Sequence, residues 1–137
     1  MRAKDASLRD EDYGALADFR HAIRRFQAFS EEHASDIGLT PQQHQALLAI
    51  RAADADQATV GYVAERLILK PHSATGLVDR LDTLGLITRE VSLEDRRRAF
   101  LRLTAKAYEI LALLSAVHRE EIRRLRPLLA EIFEKLD

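Results

Sequence analysis

Ser92-Leu93-Glu94-Asp95-Arg96-Arg97-Arg98 separates two strand-like segments, Leu86–Val91 and Ala99–Leu103, and the fold turns on how this stretch is read. In the second segment Ala99, Leu101 and Leu103 alternate with Phe100 and Arg102, the period of a strand with two unlike faces. The run between the segments is polar and charged enough to turn in water. The whole therefore reads as a β-hairpin carrying three consecutive arginines, Arg96, Arg97 and Arg98. Guanidinium groups suit the anionic backbone of DNA and can enter the narrow, electronegative minor groove of A·T-rich tracts. Taken alone, the run could also be a solvated charged turn.

Upstream, Ala74, Leu77, Val78, Leu81 and Leu84 follow the spacing of an amphipathic helix over 71–84. Pro71 suits its first position, where no amide hydrogen is needed, and Gly85 suits a left-handed cap after its last turn. The outward face holds His72, Ser73, Thr75, Gly76, Asp79 and Arg80. Short side chains let such a helix approach base edges in a major groove, and its N-terminal amides favour phosphate. A shorter helix is predicted over Tyr62–Leu67, with Val63, Ala64 and Leu67 inward, joined through Ile68-Leu69-Lys70-Pro71. Two short helices, a tight link and a hairpin make a winged helix-turn-helix. The candidate DNA-contacting set is Arg66, Lys70, His72, Ser73, Thr75, Gly76, Arg80, Asp95, Arg96, Arg97 and Arg98. A winged helix that binds protein and not DNA is the alternative; the basic wing favours DNA.

The 137 residues are enough for one domain with a real core. The absence of cysteine excludes disulfide scaffolds, zinc-thiolate fingers and thiol-based peroxide sensing. No apolar run reaches membrane-span length, and Met1–Ser7 lacks a signal-peptide core, so a cytoplasmic protein without membrane contact is expected. The net charge of −1 argues against nucleic acid until its distribution is considered. Between Arg66 and Lys106 nine Lys/Arg face five Asp/Glu, whereas the remainder holds twelve against seventeen. A basic middle between acidic ends can present a local electrostatic footprint.

The flanks read as long helices, over 10–35 and 104–137. Leu16, Phe19, Ile23, Phe26 and Phe29 form a stripe in the first. The second opens at a capping Thr104, and Pro127 is expected to divide off a final helix. The clearest helix start is Thr40-Pro41-Gln42-Gln43, a capping box with proline in the first turn. The expected fold is mainly α with a small β-hairpin wing, one domain over 1–137. Its 39–103 lobe is the winged helix-turn-helix, and 1–35 and 104–137 supply dimerisation helices. Apolar stripes at both ends usually mean burial in a partner, and a two-fold homodimer is the commonest solution. Two wings and two such helices would read a pseudo-palindrome in double-stranded DNA. A self-contained helical cap on a monomer is the alternative.

The order of elements resembles the multiple-antibiotic-resistance regulator (MarR) family of winged-helix repressors. The anchors are Leu39-Thr40 with Gln42-Gln43, Ala64-Glu65-Arg66-Leu67, Val78-Asp79-Arg80-Leu81, Gly85-Leu86-Ile87 with Arg89, and Asp95-Arg96-Arg97 followed by Leu103-Thr104. The resemblance implies a homodimer with interlocked flanking helices that represses transcription and leaves DNA on binding a small, often aromatic or phenolic, effector. It also implies that Arg97 is the wing arginine, that Asp95 orients it, and that Ser73 and Thr75 lie near bases and phosphates. Gly76 departs from the longer polar side chains of many relatives, and Ala107 stands where many have glycine.

Phe26, Phe29, His44 and Tyr62 supply aromatic walls and polar handles for an effector pocket between the dimerisation helices and the DNA lobe. Taken one at a time, each reads more simply as an ordinary core residue. The five histidines show no HxxxH or HExxH spacing, so neither a metal nor a cofactor is expected. No nucleophile-elbow motif or phosphate-cradling glycine loop points to an enzyme.

Overall fold

In a computed structural model describing residues 7–136, the elements are α1 (Asp10–Asp36), α2 (Pro41–Ala52), α3 (Val60–Leu67), α4 (Pro71–Thr83), β1 (Ile87–Val91), β2 (Ala99–Leu103) and α5 (Ala105–Lys135). Most of the N-terminal stretch read for a signal peptide, and the ends of the 1–35 and 104–137 segments, lie outside the described residues. The chain divides into two compact units, residues 33–115 and the stretches on either side of them.

The 33–115 unit is the winged helix-turn-helix. Local chemistry sets its helix ends. Thr40 Oγ1 accepts from the Gln43 amide at 3.1 Å while Gln43 Oε1 accepts from the Thr40 amide at 3.0 Å, the reciprocal cap expected for α2. Helix α3 starts earlier than its apolar spacing suggested, at Val60, because Thr59 Oγ1 accepts from the Tyr62 amide at 3.2 Å. Helix α4 ends where Gly85, at φ +74°, donates to the Asp82 carbonyl and Leu86 donates to Leu81. These two bonds satisfy carbonyls of the last turn, and only a left-handed residue allows them.

Between α3 and α4 the left-handed position is held by Ile68, at φ 55°, a conformation that crowds a β-branched side chain. Ile68 is 92% exposed, so little packing opposes its replacement. Ile68→Gly is expected to raise unfolding free energy by about 1 kcal/mol, backbone relief exceeding the entropy of the extra freedom in the unfolded chain. Urea unfolding checks this; a destabilised variant contradicts it.

Strands β1 and β2 pair antiparallel in the register Ile87↔Leu103 to Val91↔Ala99. Leu47, Val63, Val78, Leu81, Leu86, Ile87 and Leu101 are buried together with Ala107, Leu111 and Leu114 of α5. The core thus joins α2, α3, α4 and the base of the hairpin. Past Ile87, β1 buries nothing: each of its other four residues is exposed.

In the other unit, α1 meets α5 through Phe19 and Phe133, whose ring centroids lie 6.3 Å apart. Phe26 and Phe29 set their rings edge-on to His118 at 6.1 and 5.8 Å, and His118 Nε2 shares a 2.8 Å hydrogen bond with Ser30 Oγ. Ala15 and Ala22 are buried on this face of α1, while Leu16 and Ile23 of the apolar stripe are 42% and 40% exposed in the single chain. The face includes Phe19, Phe26 and Phe29 of the stripe, with Ala15 and Ala22 buried beside the exposed Leu16 and Ile23. Pro127 does not divide α5, which runs unbroken to Lys135. A proline removes one helical hydrogen bond and crowds one carbonyl, and the flanking turns keep theirs.

Candidate nucleic-acid interface

Helix α4 turns His72, Ser73, Thr75, Gly76, Asp79 and Arg80 outward and buries Ala74, Val78 and Leu81. At its N-terminus Lys70 takes the capping position without a side-chain hydrogen bond, and Pro71 follows. The first amides of α4 are therefore left without a side-chain cap, beside a lysine ammonium. Thr75 Oγ1 donates to the Pro71 carbonyl at 3.1 Å, which fixes the hydroxyl and leaves its lone pairs outward. Arg66, on the last turn of α3, and Lys70 are both exposed at the link between the two helices.

Gly76 sits in mid-helix, and a β-carbon built there meets nothing within 4 Å. Neither backbone nor packing requires glycine. Gly76→Ala is therefore expected to stabilise the fold by about 0.8–1 kcal/mol, the difference in helix propensity. If α4 seats against base edges, the same change weakens operator binding. Thermal unfolding and a DNA titration of one variant read the two effects separately; unchanged stability contradicts the helix argument.

The wing loop is built from its own side chains. Ser92 Oγ accepts from the Glu94 and Asp95 amides at 3.3 and 3.2 Å, and the Ser92 amide donates to the Arg98 carbonyl at 2.9 Å. Asp95 Oδ1 accepts from the Arg97 amide at 3.0 Å and from Arg97 Nε at 3.3 Å. The Asp95 carboxylate thus holds backbone and guanidinium of Arg97 together, although the Arg97 side chain is 93% exposed. Arg96 and Arg98 are exposed beside it, and the Arg98 guanidinium lies 5.6 Å from the Phe100 ring centre. Every residue of the candidate DNA-contacting set belongs to the 33–115 unit.

Two arginines outside that set tie the hairpin down. Arg89 of β1 forms ion pairs with Asp79 and Asp82 of α4, the second at 2.6 Å. Arg102 of β2 donates through Nε to Glu90 at 3.0 Å and through Nη1 to the Ala55 carbonyl at 2.7 Å, with its guanidinium 5.4 Å from the Phe100 ring centre. The sequence reading gave Arg89 no role of its own, because its partners lie seven and ten residues away and only the fold brings them together.

The proposed effector residues are spread across both units: Phe26 and Phe29 around His118, His44 buried in α2, Tyr62 half-buried in α3. Two cavities in the winged unit, about 540 and 180 Å³, are lined by other residues, the larger by Asp56, Glu90, Leu93, Arg98, Phe100 and Arg102 among others. Among the described residues no cluster of three His, Asp or Glu could hold a metal, and no helix is long and apolar enough to cross a membrane.

These elements, a helix-turn-helix followed by an arginine-bearing hairpin and framed by long helices, define a winged helix-turn-helix protein. A family model described as MarR family matches residues 37–98, the winged lobe. Solved structures with the same fold extend the likeness to most of the chain. AbsC, a MarR family transcriptional regulator from Streptomyces coelicolor, is 21% identical with a TM-score of 0.73, over 86% of this chain and 80% of its own. A MepR–DNA complex from Staphylococcus aureus is 22% identical with a TM-score of 0.71, over 81% of each chain. Wild-type MarR from E. coli, in its apo form, is 20% identical with a TM-score of 0.67, over 83% of this chain and 93% of its own. No curated protein sequence matches the chain.

Proposed function

We propose that this protein is a sequence-specific, non-catalytic DNA-binding transcription regulator that acts in the cytoplasm as a homodimer. The observation that carries this reading is the pairing, on one folded unit, of an exposed small-polar α4 face with an exposed wing of three arginines. The helix face suits a major groove and the wing suits the adjacent minor groove or phosphates. The solved MepR–DNA complex, whose fold this chain shares, supports the same reading.

Dimerisation is supported by the flanking unit. There Ala15, Ala22, His118 and Ile132 are the buried residues among those described, while Tyr13, Leu16, Ile23, Ile122 and Phe133 remain 40–59% exposed. An apolar surface of that extent on so small a unit is characteristic of an interface. The finer reading is repression relieved by a small aromatic effector, with Phe26, Phe29, His44 and Tyr62 as the residues offered to it. A gel shift at two salt concentrations tests the DNA reading, because release of phosphate counterions makes affinity fall steeply with salt. Binding that does not respond to salt, or no binding, would sink it. A thermal-shift screen of phenolic acids, with hits titrated against the protein–DNA complex, tests the effector. A hit that stabilises the protein and leaves DNA affinity unchanged counts against coupling for that ligand.

A further inference from the structure

We infer that Arg89 is a positioning residue for DNA reading: it locks the wing to the recognition helix by bridging Asp79 and Asp82, without itself contacting DNA. This role rests on the DNA-binding reading above. Three observations carry it. Past Ile87, strand β1 has no buried side chain, so no apolar packing on β1 itself sets the direction in which it leaves the core. Arg89 stands in this outer half and reaches two carboxylates one turn apart on α4. One of them, Asp79, lies on the outward face that also carries Thr75, Gly76 and Arg80. A guanidinium fork is suited to two such acceptors at once, and a lysine ammonium is a poor substitute for that geometry.

The pairs are largely exposed, with Asp79 and Asp82 side chains at 60% and 45%, so they contribute little to global stability. Their effect is local. Swinging β1 by a small angle displaces the Arg96–Arg98 loop at its far end, whereas α4, held by its own core residues, stays in place. Arg102 makes the matching tie on β2, to Glu90 and the Ala55 carbonyl. The wing and α4 thus meet DNA as one rigid surface.

A double-mutant cycle tests this, because a residue that acts through another adds nothing once the other is gone. The operator is first selected from random DNA with the native chain. Arg89→Ala is then expected to lower operator affinity roughly tenfold in the native background and less than about twofold in Arg97→Ala, with Tm moved by only a few degrees. Arg89→Lys should recover only part of the loss. Adding Asp79→Asn and Asp82→Asn to Arg89→Ala should not restore affinity; restoration would mean that Arg89 merely neutralises two carboxylates near phosphate and would overturn the positioning role. Additive losses in the cycle would overturn it as well. If the native chain selects no sequence at all, the DNA-binding reading itself fails, which is a separate outcome.

Discussion

Arg97→Ala is expected to weaken operator binding by about 1–3 kcal/mol, the usual loss when a specific groove contact is removed. The Arg97 side chain is almost wholly exposed, yet Asp95 holds both its amide and its guanidinium, so it is presented to solvent in a defined direction. That arrangement adds almost nothing to stability, since an exposed ion pair is worth roughly 0–1 kcal/mol. A strong effect on DNA with an unchanged melting temperature is therefore the signature sought. Lys70→Ala should behave differently. Beside the uncapped start of α4 its ammonium suits a phosphate, so its loss should weaken all sequences alike and flatten the salt slope. Equilibrium titrations of both variants against operator and unrelated DNA check this, and an Arg97→Ala affinity unchanged at moderate salt contradicts the wing's role.

The second large effect is expected at the flanking helices. Ile122 and Phe133 are 55% and 56% exposed in the single chain. On a monomer, Ile122→Glu would change stability by no more than about 0.5 kcal/mol, as surface substitutions do, and Phe133→Glu would lose only the ring pair with Phe19, about 0.5–1.5 kcal/mol. In a dimer interface each places an unpaired charge in an apolar contact, at a cost of about 3–5 kcal/mol. Association and folding share that surface, so the double variant should lose dimer and melting temperature together, and the native melting temperature should rise with protein concentration. Sedimentation equilibrium decides the matter: a native chain that is monomeric at micromolar concentration contradicts it.

Local chemistry was legible in the sequence. Strand β2, the reciprocal cap at Thr40 and Gln43, and the left-handed Gly85 all follow from spacing and from residues whose backbone preferences are strong. Features that depend on distant partners were not. A periodic stripe selects large side chains, so it does not show that the side chains fully buried on α1 are the small Ala15, Ala22 and Ala34. Pro127 reads as a helix end because its cost is local, whereas the turns that carry α5 onward to the buried Ile132 lie elsewhere. Within the candidate site, the arginine run and the polar α4 face were visible in the chain itself. The tie from Arg89 to Asp79 and Asp82 was not, because it exists only once β1 is laid beside α4. The aromatic residues offered to an effector share a composition and no spacing, and a pocket cannot be read from composition.

The central claim is that the α4 face and the wing together read a DNA sequence, and selection of binding sites from a random double-stranded pool tests it most directly. The account predicts that recovered fragments share a pseudo-palindrome with half-sites about one helical turn apart, because a two-fold dimer presents its recognition helices to successive major grooves. A pool that shows no enriched sequence after repeated rounds at moderate salt would contradict it.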